Sequence, residues 1–584
     1  MAAPAEQQWG VTPAFSLDPP SAADLSLNEL LNAELKAQNN FAPSSDTERR
    51  DAILRKLESL LREMVEAVGR KKGLPQGLLD EAGGKVFTYG SYKLGVYGPG
   101  SDVDTLMVAP KHVTRQDFFD YMPELLRRTD KTMKLNAVPD AGTPIIKLEM
   151  QGVDIDLIFS SLQVQSVPDD IDLSDDNILR GLDEIDRRCI NGTRVADSVL
   201  KLVPQSKTFR LTLRAVKLWA QRRAIYGNIA GYPGGVAYAI LVARVCQLYP
   251  RAAAPQLLKK FFFVVGRWNW PKPLYLQRHE PQDPSLQLRE WDPATYRSDA
   301  LHLMPILTPA VPSMNTAHTI GPSSKKVIMR EMARGERIVL DVYAGKKQWN
   351  DLFEKHNFFT EAYKHYLCVI AAGKTKEAAA SWGSFVQAKL QWLVKGIEES
   401  DANSIELVQL FNKGFDREHH CPTHDEVQKV VEGSLDYLAT ETSPPLGEDG
   451  YKIWTTTYYL GIDLKKGATN LDISTPVKSF SIRCLDWPKY DDSLNSLKIK
   501  HIRNFMLPDD VFAAGEKRPV RLKKKVVKPA ANGPTNKRSF ANSGMEVGES
   551  RSDNRHLADA AKEQPGNVKR RPTPNGTKQA VARG

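Results

Sequence analysis

Two short apolar runs each carry a pair of aspartates two residues apart. Residues 101–109 read SDVDTLMVA, with Asp102 and Asp104; residues 153–159 read VDIDLIF, with Asp154 and Asp156. In a strand, i and i+2 share a face with their Cα atoms ~7 Å apart. Each run therefore sets two like charges side by side on an otherwise buried strand. Such pairs repel unless a proton or a cation comes between them. Acidic oxygens gathered from two nearby strands suit hard divalent ions, and Mg²⁺ prefers such ligands together with substrate phosphates.

Read alone, D-x-D also describes strand-end charges in water. The residues before the first pair, GSYKLGVYGPGSDVDTL (90–106), change the balance. KVFTY reads as a strand, Gly90-Ser91 ends it and opens a short helix, and the turn GPGS leads into the D-x-D strand. Backbone N–H groups at a helix start attract phosphate, glycine permits close approach, and the serine hydroxyl adds a donor. A phosphate grip and a metal grip would then lie together. Two ions ~3.5–4 Å apart would activate an attacking hydroxyl and stabilise a leaving oxyanion.

The texture around these strands divides the 584 residues into several units. After residues 1–20 comes a helical stretch and then the strands, giving an α/β unit over 21–203. Helical periodicity dominates 204–353, where GGVAYAILVARVCQLY is apolar nearly all round and reads as a central core helix. A mixed α+β unit follows over 354–515, with YKIWTTTYYLGIDL as a strand and no RNP1-like string around it. Residues 516–584 hold 17 Lys/Arg against 6 Asp/Glu, whereas the whole chain has a net charge of +10, so the folded part sums to −1. With 9 Leu, Ile, Val or Phe in 69 residues, that tail falls below the ~20% needed to build a core and reads as disordered. Its clusters, Lys517–Lys525 and Lys569–Arg571, read as a nuclear address or a nucleic-acid patch, against a solvated linker.

Five scattered cysteines without a CxxC pair fit a reducing compartment. The first residues lack a secretory signal pattern, and no run reaches the ~18 apolar residues of a membrane span. Arg210, Arg214, Lys217 and Gln221 recur at 4, 3, 4 spacing and form one polar, mostly basic helix stripe, read either as a triphosphate contact or as a solvated face. HHCPTH (419–424) reads as a polar loop rather than a zinc site, because no second ligand cluster follows. PDDIDLSDD (168–176) reads as a solvated loop, and the aromatics Phe261–Phe263, Trp268 and Trp270 as core.

Gly90-Ser91, Asp102-x-Asp104 and Asp156 resemble the signature of the polymerase-β-like nucleotidyltransferases. Asp156 is the expected third carboxylate because it lies deeper in its apolar run; Asp154 is the fallback. WGVTP, FTYGSYKLGVYGPGSDVDTL, NGTRVAD, RAVKLWAQRRAIYGN, GYPGGVAYAILVAR, FFFVVGRWNWPKP and MPILTPAVPSMN closely resemble the nuclear eukaryotic poly(A) polymerases, over roughly residues 9–515.

That resemblance implies a multidomain α/β, α and α+β protein. An N-terminal arm (1–20) packs on the middle domain, a polymerase-β-like nucleotidyltransferase domain occupies 21–203, and a helical central domain occupies 204–353. An RNA-binding, RRM-like (ferredoxin-like) domain covers 354–515, before the basic tail. The implied activity is template-independent addition of AMP from ATP to an RNA 3′ end. Asp102, Asp104 and Asp156 would bind two Mg²⁺, with Mn²⁺ able to substitute. Nucleotide contacts are implied at Tyr89, Gly90, Ser91, Val103, Asn191, Lys217, Tyr226, Asn228, Gly235 and Val236 besides the aspartates, and an RNA contact at Lys147. A monomer in the nucleus, supplied with RNA by a cleavage and polyadenylation complex, is the implied setting. Two rivals stay open: a nucleotidyltransferase with another NTP preference, and a non-catalytic RNA-binding scaffold.

Overall fold

A computed structural model describes residues 8–278, 286, 288–400, 404–440, 446–447, 449–468 and 471–521. Strands β1 (Lys85–Thr88), β2 (Val103–Pro110), β3 (Thr132–Val138), β4 (Ile145–Met150) and β5 (Val153–Leu162) form one sheet in the order β1-β2-β5-β4-β3. Only β2 and β5 run parallel. Val103, Met107 and Ala109 point to one face, against helices Ser44–Lys71 and Arg115–Arg127. Leu106, Val108 and Ile158 point to the other, against Leu173, Leu179 and Ile190, the last on helix Glu184–Lys201. Burial on both faces explains why β2 and β5 read as continuous apolar runs. The aspartates sit where those runs begin.

The middle of the chain packs helices Ser206–Arg222, Ala254–Gly266 and Pro322–Tyr343 near helix Gly235–Leu248, in which every residue from Ala237 to Leu248 is buried. Trp219 anchors this core with Tyr238, Phe261 and Phe262 edge-on around it. Phe261 and Phe262 are core residues; Phe263 is exposed.

The second sheet comprises β6 (His365–Gly373), β7 (Ile405–Leu410), β8 (Phe415–Cys421), β9 (Tyr451–Leu464) and β10 (Asn495–Arg503). Its order is β10-β6-β9-β7, and β8 also pairs with β9. Every pairing is antiparallel. The long β9 takes β8 along Tyr451–Thr457 and β7 along Leu460–Leu464, so β7 and β8 act as one interrupted edge strand. With helices Lys376–Ser400 and Ser474–Leu485 as the crossovers, this is the split β-α-β arrangement of ferredoxin-like domains.

Two readings need correction. The HHC of HHCPTH is not loop: His419 and Cys421 are buried inward positions of β8, and His419 Nε2 lies 3.0 Å from Thr455 Oγ1. Residues 516–521, placed with the tail, are anchored by an ion pair from Lys355 to Glu516 and by Arg518 on Asp509. The rest of the tail lies outside the described residues. Residues 168–175 form a loop, tied down where the buried Arg194 donates to Leu173 O and Asp176. All five cysteines are buried and free. Among the described residues no helix is long and apolar enough to cross a membrane.

Candidate active site

Asp104 of β2 and Asp156 of β5 are register partners on the parallel pair, and Asp102 directly precedes β2. One carboxylate oxygen from each of the three lies within 4.8 Å of the others. Among the described residues, this is the one cluster of three or more acidic, His or Cys side chains placed to share an ion. Asp154 lies outside it, exposed and opposite Glu149. Burial, then the Asp102 and Asp156 charges, push the Asp104 carboxyl up to about 7. Lys147 is the partner of Asp156 on β4, and its ammonium lies 2.5 Å from Asp156 Oδ2.

The Gly-Ser step rests directly on this cluster. Tyr89 N donates to Asp104 O at 3.1 Å, and the chain turns through Gly90 at φ 61°. A Cβ at Gly90 would stand 2.0 Å from Asp104 Oδ2, so both the backbone angle and the carboxylate require glycine. Ser91 follows within the short helix Gly90–Lys93. The Tyr89 ring lies against Gly192, where a Cβ would meet it at 3.0 Å. Burial, then Asp104 and Asp156, raise its hydroxyl well above the ordinary tyrosine range. Beside Gly192, the buried Asn191 Oδ1 has no hydrogen-bond partner among the described residues. Val103 points into the core, so only its backbone faces the site.

Lys217 and Tyr226 approach from the helical region. Burial and Arg214 push the Lys217 ammonium down to about 8, against the pull of Asp102 and Asp104. Burial, then those two aspartates, push the Tyr226 hydroxyl up to about 12. Its ring stacks on Tyr238 at 5.9 Å, and a Cβ at Gly235 would lie 2.7 Å from its hydroxyl. Val236 is exposed beside Gly235 at the start of its helix. The Asn228 amide, turned so that its nitrogen donates, reaches Tyr232 O at 3.0 Å and Thr316 O at 3.3 Å.

The basic stripe does not act as one surface. Arg210 Nε donates to Leu94 O at 3.1 Å, and Arg214 donates to Asn40 O and, at 3.1 Å, to Gly95 O. Both arginines therefore clamp backbone, and Gln221 is exposed to water. Two neighbours had no sequence signal. Gln391 Nε2 donates to Ile229 O at 3.3 Å, and Asn412 Nδ2 to Tyr226 O at 3.5 Å, both from the C-terminal sheet unit. They lie 162 and 186 residues from their partners, beyond the reach of any local pattern.

A mixed sheet with two aspartates at the head of one strand, a third on its parallel neighbour and a Gly-Ser turn over them defines a polymerase-β-like nucleotidyltransferase. Residues 10–203 match the family model of the poly(A) polymerase nucleotidyltransferase domain, 208–355 that of the poly(A) polymerase central domain, and 357–521 that of the poly(A) polymerase predicted RNA binding domain. The chain is 45% identical to poly(A) polymerase pla1 of Schizosaccharomyces pombe, over 89% of its length and 96% of the relative's. It is 43% identical to poly(A) polymerase PAPalpha of Candida albicans, over 89% and 95%. Among solved structures, a Cid1 poly(U) polymerase crystal structure aligns with 57% of the chain and 100% of its own at 16% identity, with a TM-score of 0.39. The chain belongs to the poly(A) polymerase family.

Proposed function

We propose that the protein is a template-independent polynucleotide adenylyltransferase, adding AMP from ATP to the 3′ end of RNA and releasing pyrophosphate. The observation that carries this reading is the three-aspartate cluster on a chain matched from residue 10 to 521 by poly(A) polymerase domains. The cluster is an all-oxygen donor set of the kind hard divalent ions take. The three carboxylate oxygens lie within 4.8 Å of one another, and burial followed by the two neighbouring charges pushes the Asp104 carboxyl up, so the residues fit such an ion. Asp102, Asp104 and Asp156 are assigned as ligands of two Mg²⁺, with Mn²⁺ able to substitute. Ions held by these three carboxylates would supply Lewis acidity at the RNA 3′ hydroxyl and at the leaving pyrophosphate, in which case no separate protein base would be needed.

The chain's own residues position the reactants. The backbone at Gly90-Ser91 and the Ser91 hydroxyl grip phosphate oxygens beside Asp104. The Lys217 ammonium and the Tyr226 hydroxyl, both within reach of the Asp102 and Asp104 charges, hold the triphosphate. Asn191, whose Oδ1 lacks a partner among the described residues, Asn228 and the backbone at Gly235-Val236 surround base and sugar. Tyr89 and the Val103 backbone line the site beneath. Lys147, next to Asp156, meets the RNA 3′ end. A nuclear monomer acting on pre-mRNA, with RNA delivered by a cleavage and polyadenylation complex, is the setting that the family membership supports.

Incubation of the protein with an RNA primer, Mg²⁺ and each NTP in turn tests the reading. Extension with ATP and weak or no extension with GTP, CTP or UTP is the expected result. Equal or better extension with UTP would change the nucleotide choice, and no extension with any NTP would leave a scaffold.

A further inference from the structure

A groove of about 580 Å³ lies between helix Lys376–Ser400 and the strands β8 and β9. Lys376, Ala380, Ser384 and Gln387 line it at 4, 4, 3 spacing, one face of the helix. Its floor is Trp454, Thr456 and Tyr458, alternate residues of β9. Most of its charges are already committed. Arg417 pairs with Asp510, Glu418 with Lys452, and Asp416 accepts the Thr456 hydroxyl. Lys376 and Lys413 line the groove with no ion pair or hydrogen bond from their side chains among the described residues. The Trp454 indole lies half-buried at the groove floor.

The groove leads away from the candidate active site. Lys413 follows Asn412, which donates to Tyr226 O, and Gln387 lies one helical turn before Gln391, which donates to Ile229 O. The opposite face of the same sheet is closed. There Val430, Met506 and Pro508 cover Cys368, His419 and Tyr459, leaving a cavity of about 190 Å³.

We propose that this groove holds the RNA just upstream of its 3′ end, with a base stacked on Trp454 and backbone phosphates against Lys376 and Lys413. The inference rests on the adenylyltransferase reading above. An aromatic ring with two free cations reads no particular base, because every base has a π-face. That suits an enzyme without a template. The open sheet face used for stacking in many RRM-like domains is here filled by the chain itself.

The test compares Trp454→Ala, Trp454→Phe and the double variant Lys376→Gln/Lys413→Gln with the parent protein, on oligo(A) primers of three and of about 15 nucleotides. Trp454→Ala should raise KM for the long primer about tenfold. Its kcat, its KM for ATP and its kinetics on the trinucleotide, too short to reach the groove, should stay unchanged. Trp454→Phe should restore most of the loss. The double lysine variant should lower the salt slope of long-primer binding by about 1.4, two phosphates' worth on a single strand. Equal losses on both primers, or none on the long one, would overturn the groove while leaving adenylyl transfer standing. If the parent protein extends neither primer with ATP, the proposed activity is what fails.

Discussion

Lys217 holds a positive charge where burial opposes it. Burial and Arg214 bring its ammonium down to about 8, with only Asp102 and Asp104 pulling the other way. The charged form is the one proposed to meet a triphosphate, so on that proposal the free enzyme loses this contact as pH rises through that value. The profile of kcat/KM for ATP reports groups of the free enzyme. With RNA saturating, it should fall above about pH 8, approaching tenfold per unit. In Lys217→Arg the guanidinium stays charged, so this descending limb should disappear from the range below pH 10. A flat parent profile to pH 9 would contradict the assignment of Lys217. At this scale much was legible. A two-residue period alone put Asp102 and Asp104 on one face, and depth in the apolar run favoured Asp156 over Asp154. The close packing of Gly90 on Asp104, where a Cβ would stand 2.0 Å from Oδ2, was not legible, because it depends on how the turn folds back over β2.

Helix Ser206–Arg222 shows what a spacing pattern reveals and what it hides. Its stripe at 4, 3, 4 was readable, but its partners Asn40, Leu94 and Gly95 lie 174, 116 and 119 residues away in sequence. Arg214 is buried and satisfies carbonyls of two separate loops. Arg214→Met would leave those carbonyls without donors, at about 2–4 kcal/mol. Thermal melting should then drop by about 5 °C or more. The KM for ATP at low temperature should stay within about threefold of the parent, unlike that of a triphosphate ligand. A large rise in KM without loss of stability would return Arg214 to the phosphate. Strand β8 failed for a related reason. Its inward positions are Arg417, His419 and Cys421, two of them polar, so no apolar alternation marked it. Burial there is satisfied by Asp510 and Thr455, which the sequence places far away.

Across the whole molecule, textures were readable and the contacts between them were not. The switch from strand to helix and back marked the α/β, helical and ferredoxin-like parts. Nothing local predicted that Arg244, buried in the central helix, would donate to Thr12 at 2.6 Å, or that Gln247 would donate to Trp9 O at 3.1 Å. These bonds seat residues 9–15 on that helix, and Phe15 N closes on Leu248 O at 2.8 Å. In the same way, Gln391 and Asn412 tie the C-terminal sheet unit to the loop bearing Tyr226 and Asn228. Nucleotide and RNA would thus be gripped by parts distant in the chain, around three carboxylates.

Single-turnover AMP incorporation by the four alanine variants at Asp102, Asp104, Asp154 and Asp156, each checked for native melting, tests that centre most directly. Variants at Asp102, Asp104 and Asp156 should each lose at least about a thousandfold in rate, while Asp154→Ala keeps near-parent activity. An inactive Asp154→Ala beside an active Asp156→Ala, or parent-like rates from Asp104→Ala, would contradict the account.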